Sequence, residues 1–186
     1  MTVRISKPAF NLRDKLTELD FARVPYEKMP PQSIIQRKRY FVTSFKQSSS
    51  SNDLDIITGQ IRPIFSSSQI LIELAVTPYG GNENTLSARG RIRRGYGVAN
   101  GSTGTQIYYN RRMFFRSGSG GALKAMCGQM VAMDEPHTTD ILEYVFQTSV
   151  ESQVSSTIEF YADGYSVGAP ENVMTIMEIR GNSWLT

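Results

Sequence analysis

The residues best suited to chemistry form a basic cluster in the middle of the chain. Arg89, Arg91, Arg93 and Arg94 fall within SARGRIRRGYG, and Arg111 and Arg112 follow IYYN. Side chains on a strand alternate with period two. Arg89, Arg91 and Arg93 should therefore share one face, with Gly90 and Ile92 on the other. If two strands pair as a hairpin across ANGSTGT, these arginines come beside Tyr96, Tyr108 and Tyr109. Guanidinium forks and tyrosine rings together suit phosphates, acidic glycans or a protein hot spot. The candidate ligand or partner surface is Arg91, Arg93, Arg94, Tyr96, Tyr108, Tyr109, Arg111 and Arg112. A solvated strand face with ion pairs between subunits would give the same pattern.

Other reactive residues form weaker sets. Glu143, Glu159, Asp163 and Glu178 lie on or beside the last strands, and Glu143 could face Glu159 across a strand pair as acid–base catalysis requires. A solvated sheet face or an intersubunit salt bridge explains them more simply. His137 is the only histidine. Its turn, DEPHTTD, lacks the ordered oxygen spacing of a calcium loop, and no Gly-x-Ser-x-Gly elbow accompanies it. Glycine-rich RSGSGGA has no β–α unit around it and matches no phosphate loop. Cys127 is the single cysteine, which excludes an intrachain disulfide, and its flanks KAMCGQMV predict a buried strand residue. Met126, Met130, Met133, Met174 and Met177 read as core filler. The expectation is a protein without catalytic residues, metal or cofactor.

The 186 residues give room for one domain with a core, plus an appendage. No run approaches the ~18 apolar residues of a membrane-spanning helix, and MTVRISKPAF has no signal-peptide core. The net charge of +3 conceals an asymmetry: residues 1–46 carry net +6, residues 47–116 net +4, and residues 117–186 net −7. A basic front and acidic back suit contacts between unlike surfaces of neighbouring subunits. Nucleic acid is the rival partner, but the arginines share no helix and no binding motif accompanies them.

The elements that would position these residues are strands. Candidates are 34–45, 54–64, 69–77, 85–98, 106–115, 122–133, 141–150, 154–162 and 172–180, separated by gaps rich in Ser, Gly, Pro and Asn. Short gaps point to antiparallel neighbours, and the whole to an all-β, jelly-roll β-sandwich over residues 34–186. The last run, NVMTIMEIR, is apolar on both faces: Val173, Thr175, Met177 and Ile179 against Met174, Ile176, Glu178 and Arg180. Such a strand belongs in the middle of a sheet. Met177 and Ile179 are the expected contact with a neighbouring subunit.

Residues 1–33 read as a separate N-terminal arm. Asn11 can cap a two-turn helix over 12–19, with Asp14 as its partner. Phe10, Leu12, Leu16 and Leu19 recur near the helical period, and a helix this short needs a partner surface. DFARVPYEKMPPQS then forms a stiff proline connector.

KPAFNLRDKLTEL followed by VPYEKMPPQSIIQ resembles a leader of virion proteins from marine tailed phages. FSSSQILIELAV and the terminal TIMEI resemble phage-borne jelly-roll domains related in shape to tumour necrosis factor and the complement globular head. The resemblance spans nearly the whole chain. It implies a trimeric virion appendage, either a capsid decoration or knob, assembled in the host cytoplasm. Lys7, Pro8, Phe10, Leu12, Arg13, Leu16 and Leu19 would anchor it to other virion proteins. A fibre tip that binds a host receptor or surface glycan is the alternative, and an envelope-glycan depolymerase a second. The long shaft of a complete tail fibre is absent.

Overall fold

The computed structural model describes residues 26, 29–80, 85–96, 103–117, 124–151, 157–162 and 172–181. Within them run twelve strands: β1 (Ile34–Phe41), β2 (Lys46–Ser48), β3 (Leu54–Ile61), β4 (Gln69–Val76), β5 (Tyr79–Gly80), β6 (Thr85–Tyr96), β7 (Thr105–Ser117), β8 (Lys124–Ala125), β9 (Gly128–Asp134), β10 (Leu142–Val150), β11 (Ile158–Phe160) and β12 (Val173–Ile179). The proposed helix and the anchoring residues Lys7, Pro8, Phe10, Leu12, Arg13, Leu16 and Leu19 lie outside the described residues.

The strands form three sheets, ordered β1-β12-β4-β9, β3-β10-β6-β7 and β2-β11-β5-β8. Every pairing is antiparallel. Taken in chain order, the eight long strands pair first with last (β1 with β12), second with seventh (β3 with β10), third with sixth (β4 with β9) and fourth with fifth (β6 with β7). That is a single long hairpin rolled into two facing sheets, which is the jelly-roll topology. β2, β5, β8 and β11 lie on the four connections that cross between the two large sheets at one end. They pair with each other there as the third sheet.

Period-two alternation fixes which residues fill the space between the large sheets. On β4, Ile70, Ile72, Leu74 and Val76 are buried, and on β9 Gly128, Met130, Ala132 and Asp134 are buried. From the facing sheet come Ile57, Ile61, Ala88, Ile92, Phe114, Leu142, Tyr144 and Phe146. Phe160 of the third sheet meets Phe114 and Phe146 edge-on, at 6.0 and 6.2 Å between centroids, and closes that end of the core. Gly59 is needed where it stands, because a Cβ there would meet the Tyr40 ring. The Tyr40 hydroxyl donates to the Gln60 carbonyl, linking β1 to β3.

Several expectations change. Short gaps point to antiparallel neighbours, but among the long strands only β6 and β7 are both consecutive and paired; the others alternate between sheets. Cys127 is exposed, in the break between β8 and β9. The strand read over residues 122–133 is interrupted there, so the cysteine escapes burial. Of the methionines, Met130 and Met174 are core, whereas Met133 is exposed. The connector's last residues belong to the sandwich: Gln32 N donates to Arg180 O and Arg180 N to Ser33 O, both at 2.9 Å. The Arg180 guanidinium also donates to the carbonyls of Tyr26 and Met29.

Candidate functional site

The β6–β7 hairpin forms as the arginine pattern required, with Arg91 opposite Tyr109 and Ile92 opposite Tyr108. Arg89, Arg91 and Arg93 lie on the outer face of the second sheet, opposite Ser149, Gln147 and Val145 of β10. They are already engaged there. Arg91 reaches the Asp53 carboxylate at 2.7 Å, and Arg89 lies 3.7 Å from it. Arg89 Nε donates to Ser149 Oγ. Arg93 Nε donates to Gln147 Oε1 at 3.0 Å, and Gln147 Nε2 in turn to Asp55 Oδ1 at 2.7 Å. Tyr109, 40% exposed, lies 5.4 Å from the Arg91 guanidinium. This is a ladder of charge-assisted bonds laid across β10, held within one chain.

Two members of the predicted surface do not belong to it. Arg94 is on the inner face, where its guanidinium meets both Asp134 oxygens at 2.6 and 2.8 Å, and Tyr144 Oη donates to the same carboxylate at 2.6 Å. Tyr108 packs against the hydrophobic core. The physical reason is the strand period: Arg94 follows Arg93, and Tyr108 precedes Tyr109, so each falls on the opposite face. Tyr96 ends β6 opposite Leu142. Arg111 and Arg112, adjacent in sequence, are both exposed beside an irregularity in the β6–β7 register, as bulges allow. Arg111 pairs with Glu151 at 3.2 Å. Arg94–Asp134 and Arg111–Glu151 join the basic middle of the sequence to its acidic end, so part of the charge asymmetry is consumed inside the fold.

The carboxylates are dispersed. Glu143, on the second sheet, accepts from Gln60 Nε2 at 3.0 Å. Glu159 lies on the third sheet and accepts from Gln47 Nε2 and Tyr161 Oη. The two do not face each other. Glu178 is fully buried and accepts from Ser68 Oγ at 2.6 Å, Ile64 N at 2.7 Å, Phe65 N at 3.3 Å and Gln36 Nε2 at 2.6 Å. It clamps the turn between β3 and β4, which explains a carboxylate in the middle of an apolar strand. His137 is exposed in the turn before β10, with φ at 52°. Among the described residues no three metal-ligating side chains cluster, and no helix is long and apolar enough to cross a membrane.

The outer face of the first sheet differs from that of the second. β12 is central, between β1 and β4. Arg37, Met177, Leu71 and Met133 form one row across the four strands; Arg39, Thr175, Glu73 and Val131 form the next; Phe41, Val173, Ala75 and Gln129 the third. Ile34 pairs with Ile179 at the end of β12. Val131 is 61% exposed, Ile34 54% and Met133 49%. A shallow depression runs between Glu73, Ala75, Val131, Val173 and Thr175. Met177 and Ile179 thus stand on an outward apolar face, as their spacing predicted. Leu71, Val131 and Met133 were missed, although alternation in QILIELAV and GQMVAMD contains them: their partners across the sheet were not readable from the sequence.

No family model matches the chain, and no curated protein matches it in sequence. Among solved structures it is similar to a chain of the infectious bursal disease virus Gx strain (14% identity, TM-score 0.36, covering 84% of this chain and 42% of that one). It is also similar to a chain of the VP2 subviral particle of the same virus (14% identity, TM-score 0.37, 81% and 39%) and to a chain of the T=1 particles derived from it (14% identity, TM-score 0.39, 80% and 37%). The chain spans about two fifths of the length of these chains. At this level of similarity the fold reading stands on the strand order itself: an all-β, antiparallel jelly roll.

Proposed function

We propose that this chain is a structural virion protein of a tailed phage, a compact homotrimeric capsid decoration or knob attached through its N-terminal arm. The observation that supports it best is the outer face around β12, where among the described residues Ile34, Val131 and Met133 stay exposed. Exposed apolar side chains gathered on one sheet face suit an interaction surface. The face is also polar in a directional way: Arg37 and Arg39 lie along its β1 edge, and Glu73 lies nearer the β9 edge. A head-to-tail arrangement brings the basic edge of one copy to the acidic side of the next, and a threefold rotation between copies closes such a contact as a trimeric ring. Assembly makes the remote, repeated use of a short arm effective, because several arms bind at once. Burying one Leu or Phe contributes ~1.5–3 kcal/mol, so Phe10, Leu12, Leu16 and Leu19 together form a sufficient anchor.

Light scattering on the purified full chain tests the assembly, and a monodisperse monomer at micromolar concentration overturns it. Deleting residues 1–25 tests the anchor while leaving the segment bonded to Arg180 in place. The shortened chain is expected to keep its oligomeric mass and melting temperature but to be missing from purified particles. Incorporation at normal copy number would place the attachment surface on the jelly roll.

A further inference from the structure

We propose that the outer surface of the third sheet is a binding site for a neutral pyranose, such as a terminal hexose of a cell-surface glycan. Two rows of side chains build it. Gln47, Glu159 and Tyr79 are mutual partners across β2, β11 and β5. Phe45 and Tyr161, two residues further along, form the second row, with ring centroids 5.1 Å apart and planes tilted by 55°. Tyr161 meets Tyr79 edge-on at 5.5 Å.

These rings are not an extension of the core. Phe45, Tyr79 and Tyr161 stand apart from the buried cluster and from the side chains packed on it. Phe45 is 45% exposed, and Tyr79 and Tyr161 are half-buried. The carboxylate among them is oriented rather than loose: Gln47 Nε2 donates to Glu159 Oε1 at 3.1 Å and Tyr161 Oη to Oε2 at 2.7 Å. A single buried amide fixes the frame. Asn172 Nδ2 donates to Tyr161 O at 3.1 Å, and Asn172 Oδ1 accepts from Thr77 N at 2.8 Å, so the backbones leading to Tyr161 and Tyr79 are tied together. Such bracing holds a binding surface in its bound geometry beforehand.

The chemistry selects the ligand. A pyranose offers an apolar C–H face for an aromatic ring and vicinal hydroxyls that donate to a carboxylate and accept from an amide. Here an exposed ring, a carboxylate with lone pairs to spare and an amide occur side by side. A carboxylate at the centre repels uronic acids, sialic acids and phosphates, so the ligand is neutral. A quaternary ammonium would need an opening between ring faces, whereas these rings touch one another. The site is complete in one chain and does not depend on the assembly proposed above.

The test is retention of the full-length protein on an array carrying neutral, sialylated, uronic-acid and phosphocholine-bearing probes. Neutral hexose probes are expected to bind. Phe45→Ala and Gln47→Ala should each weaken binding by about tenfold, with melting little changed because both side chains are exposed. Glu159→Gln should weaken neutral probes and admit acidic ones. No retention of any neutral probe, preference for acidic or phosphocholine probes by the unaltered protein, or binding that survives both Phe45→Ala and Gln47→Ala overturns the proposal. Should Phe45→Ala fail to fold, Gln47→Ala alone decides it.

Discussion

On the outer face of β10, Glu143, Val145, Gln147 and Ser149 are all buried, although among the described residues no further layer covers that sheet. On the outer face of the sheet that holds β12, the two edge strands leave Ile34, Val131 and Met133 open. Both faces belong to four-stranded sheets of one sandwich. The difference lies in side-chain length and charge. Arg89, Arg91 and Arg93 are long enough to reach across β10, and Asp53, Asp55, Gln147 and Ser149 supply their acceptors. Arginine stems thereby shield the strand below. Around β12 the outward face mixes Leu71, Val131, Met133, Val173 and Met177 with Arg37, Arg39, Glu73 and Thr175, and its apolar members at the edges stay exposed. One face is satisfied within the chain, and the other leaves apolar side chains in water.

The largest effect is expected at Met177, where the two properties meet. It faces outward yet is only 5% exposed, being covered by its neighbours on β1 and β4. Met177→Asp places an unpaired charge there at a cost of about 3 kcal/mol or more, with loss of folding yield and of assembly together. Thermal melting and light scattering on the same preparation check both. A variant with normal melting would show that the centre of this face is wetter than its burial indicates.

Val131→Asp with Met133→Asp separates the two effects. Both side chains are exposed in the single chain, so the cost to the isolated fold should stay within about 0.5 kcal/mol each. Assembly should fail, because an interface then has to bury two new carboxylates. The expected readout is a folded monomer. Retained oligomeric mass would exclude this end of the face from the contact.

This contrast shows what the sequence could and could not reveal. Alternation placed Met177 and Ile179 on one face of a central strand, and it placed Arg89, Arg91 and Arg93 together. Period two is a local property, and the chain alone carries it. The burial of the arginine ladder was not legible, because Asp53 comes from just before β3, Asp55 from β3 and Gln147 from β10, which the rolled topology alone brings beside β6. The same holds for Arg94 with Asp134 and for Glu178 with Ser68. Such pairs are set by long-range register, which the order of residues does not contain. β2 and β5 escaped because three-residue and two-residue strands have no period to detect.

The ladder itself should respond moderately. Asp53→Ala leaves Arg91, whose side chain is 12% exposed, without its carboxylate, and loosens Arg89 as well. Arg91 Nε is also buried without a hydrogen-bond partner among the described residues. A loss of about 1–2 kcal/mol is expected by urea unfolding, with oligomeric mass unchanged. Arg93→Ala should cost about 1 kcal/mol, since Gln147 then loses one partner but keeps Asp55. No loss in either variant would mean that the ladder contributes only coverage of β10.

The smallest effect is expected at Arg111 and Arg112. Arg111 is paired with Glu151, but its side chain is 76% exposed, and water competes for both partners. Exposed ion pairs typically contribute no more than about 1 kcal/mol and often nothing measurable, because high dielectric weakens the attraction and the long side chains lose freedom on pairing. Arg111→Ala and Arg112→Ala should therefore leave melting within error of the unaltered protein. They also isolate what an outward arginine does when it is not holding the fold. If these two residues meet an acidic partner on the particle, attachment should weaken in the variants. In the unaltered protein it should also weaken as salt rises, because screening acts over roughly 8–10 Å at ordinary ionic strength. Arg91→Ala cannot report this cleanly, since it disturbs Asp53 first. Unchanged attachment of the double variant at both low and high salt would confine the role of the arginines to the ladder over β10.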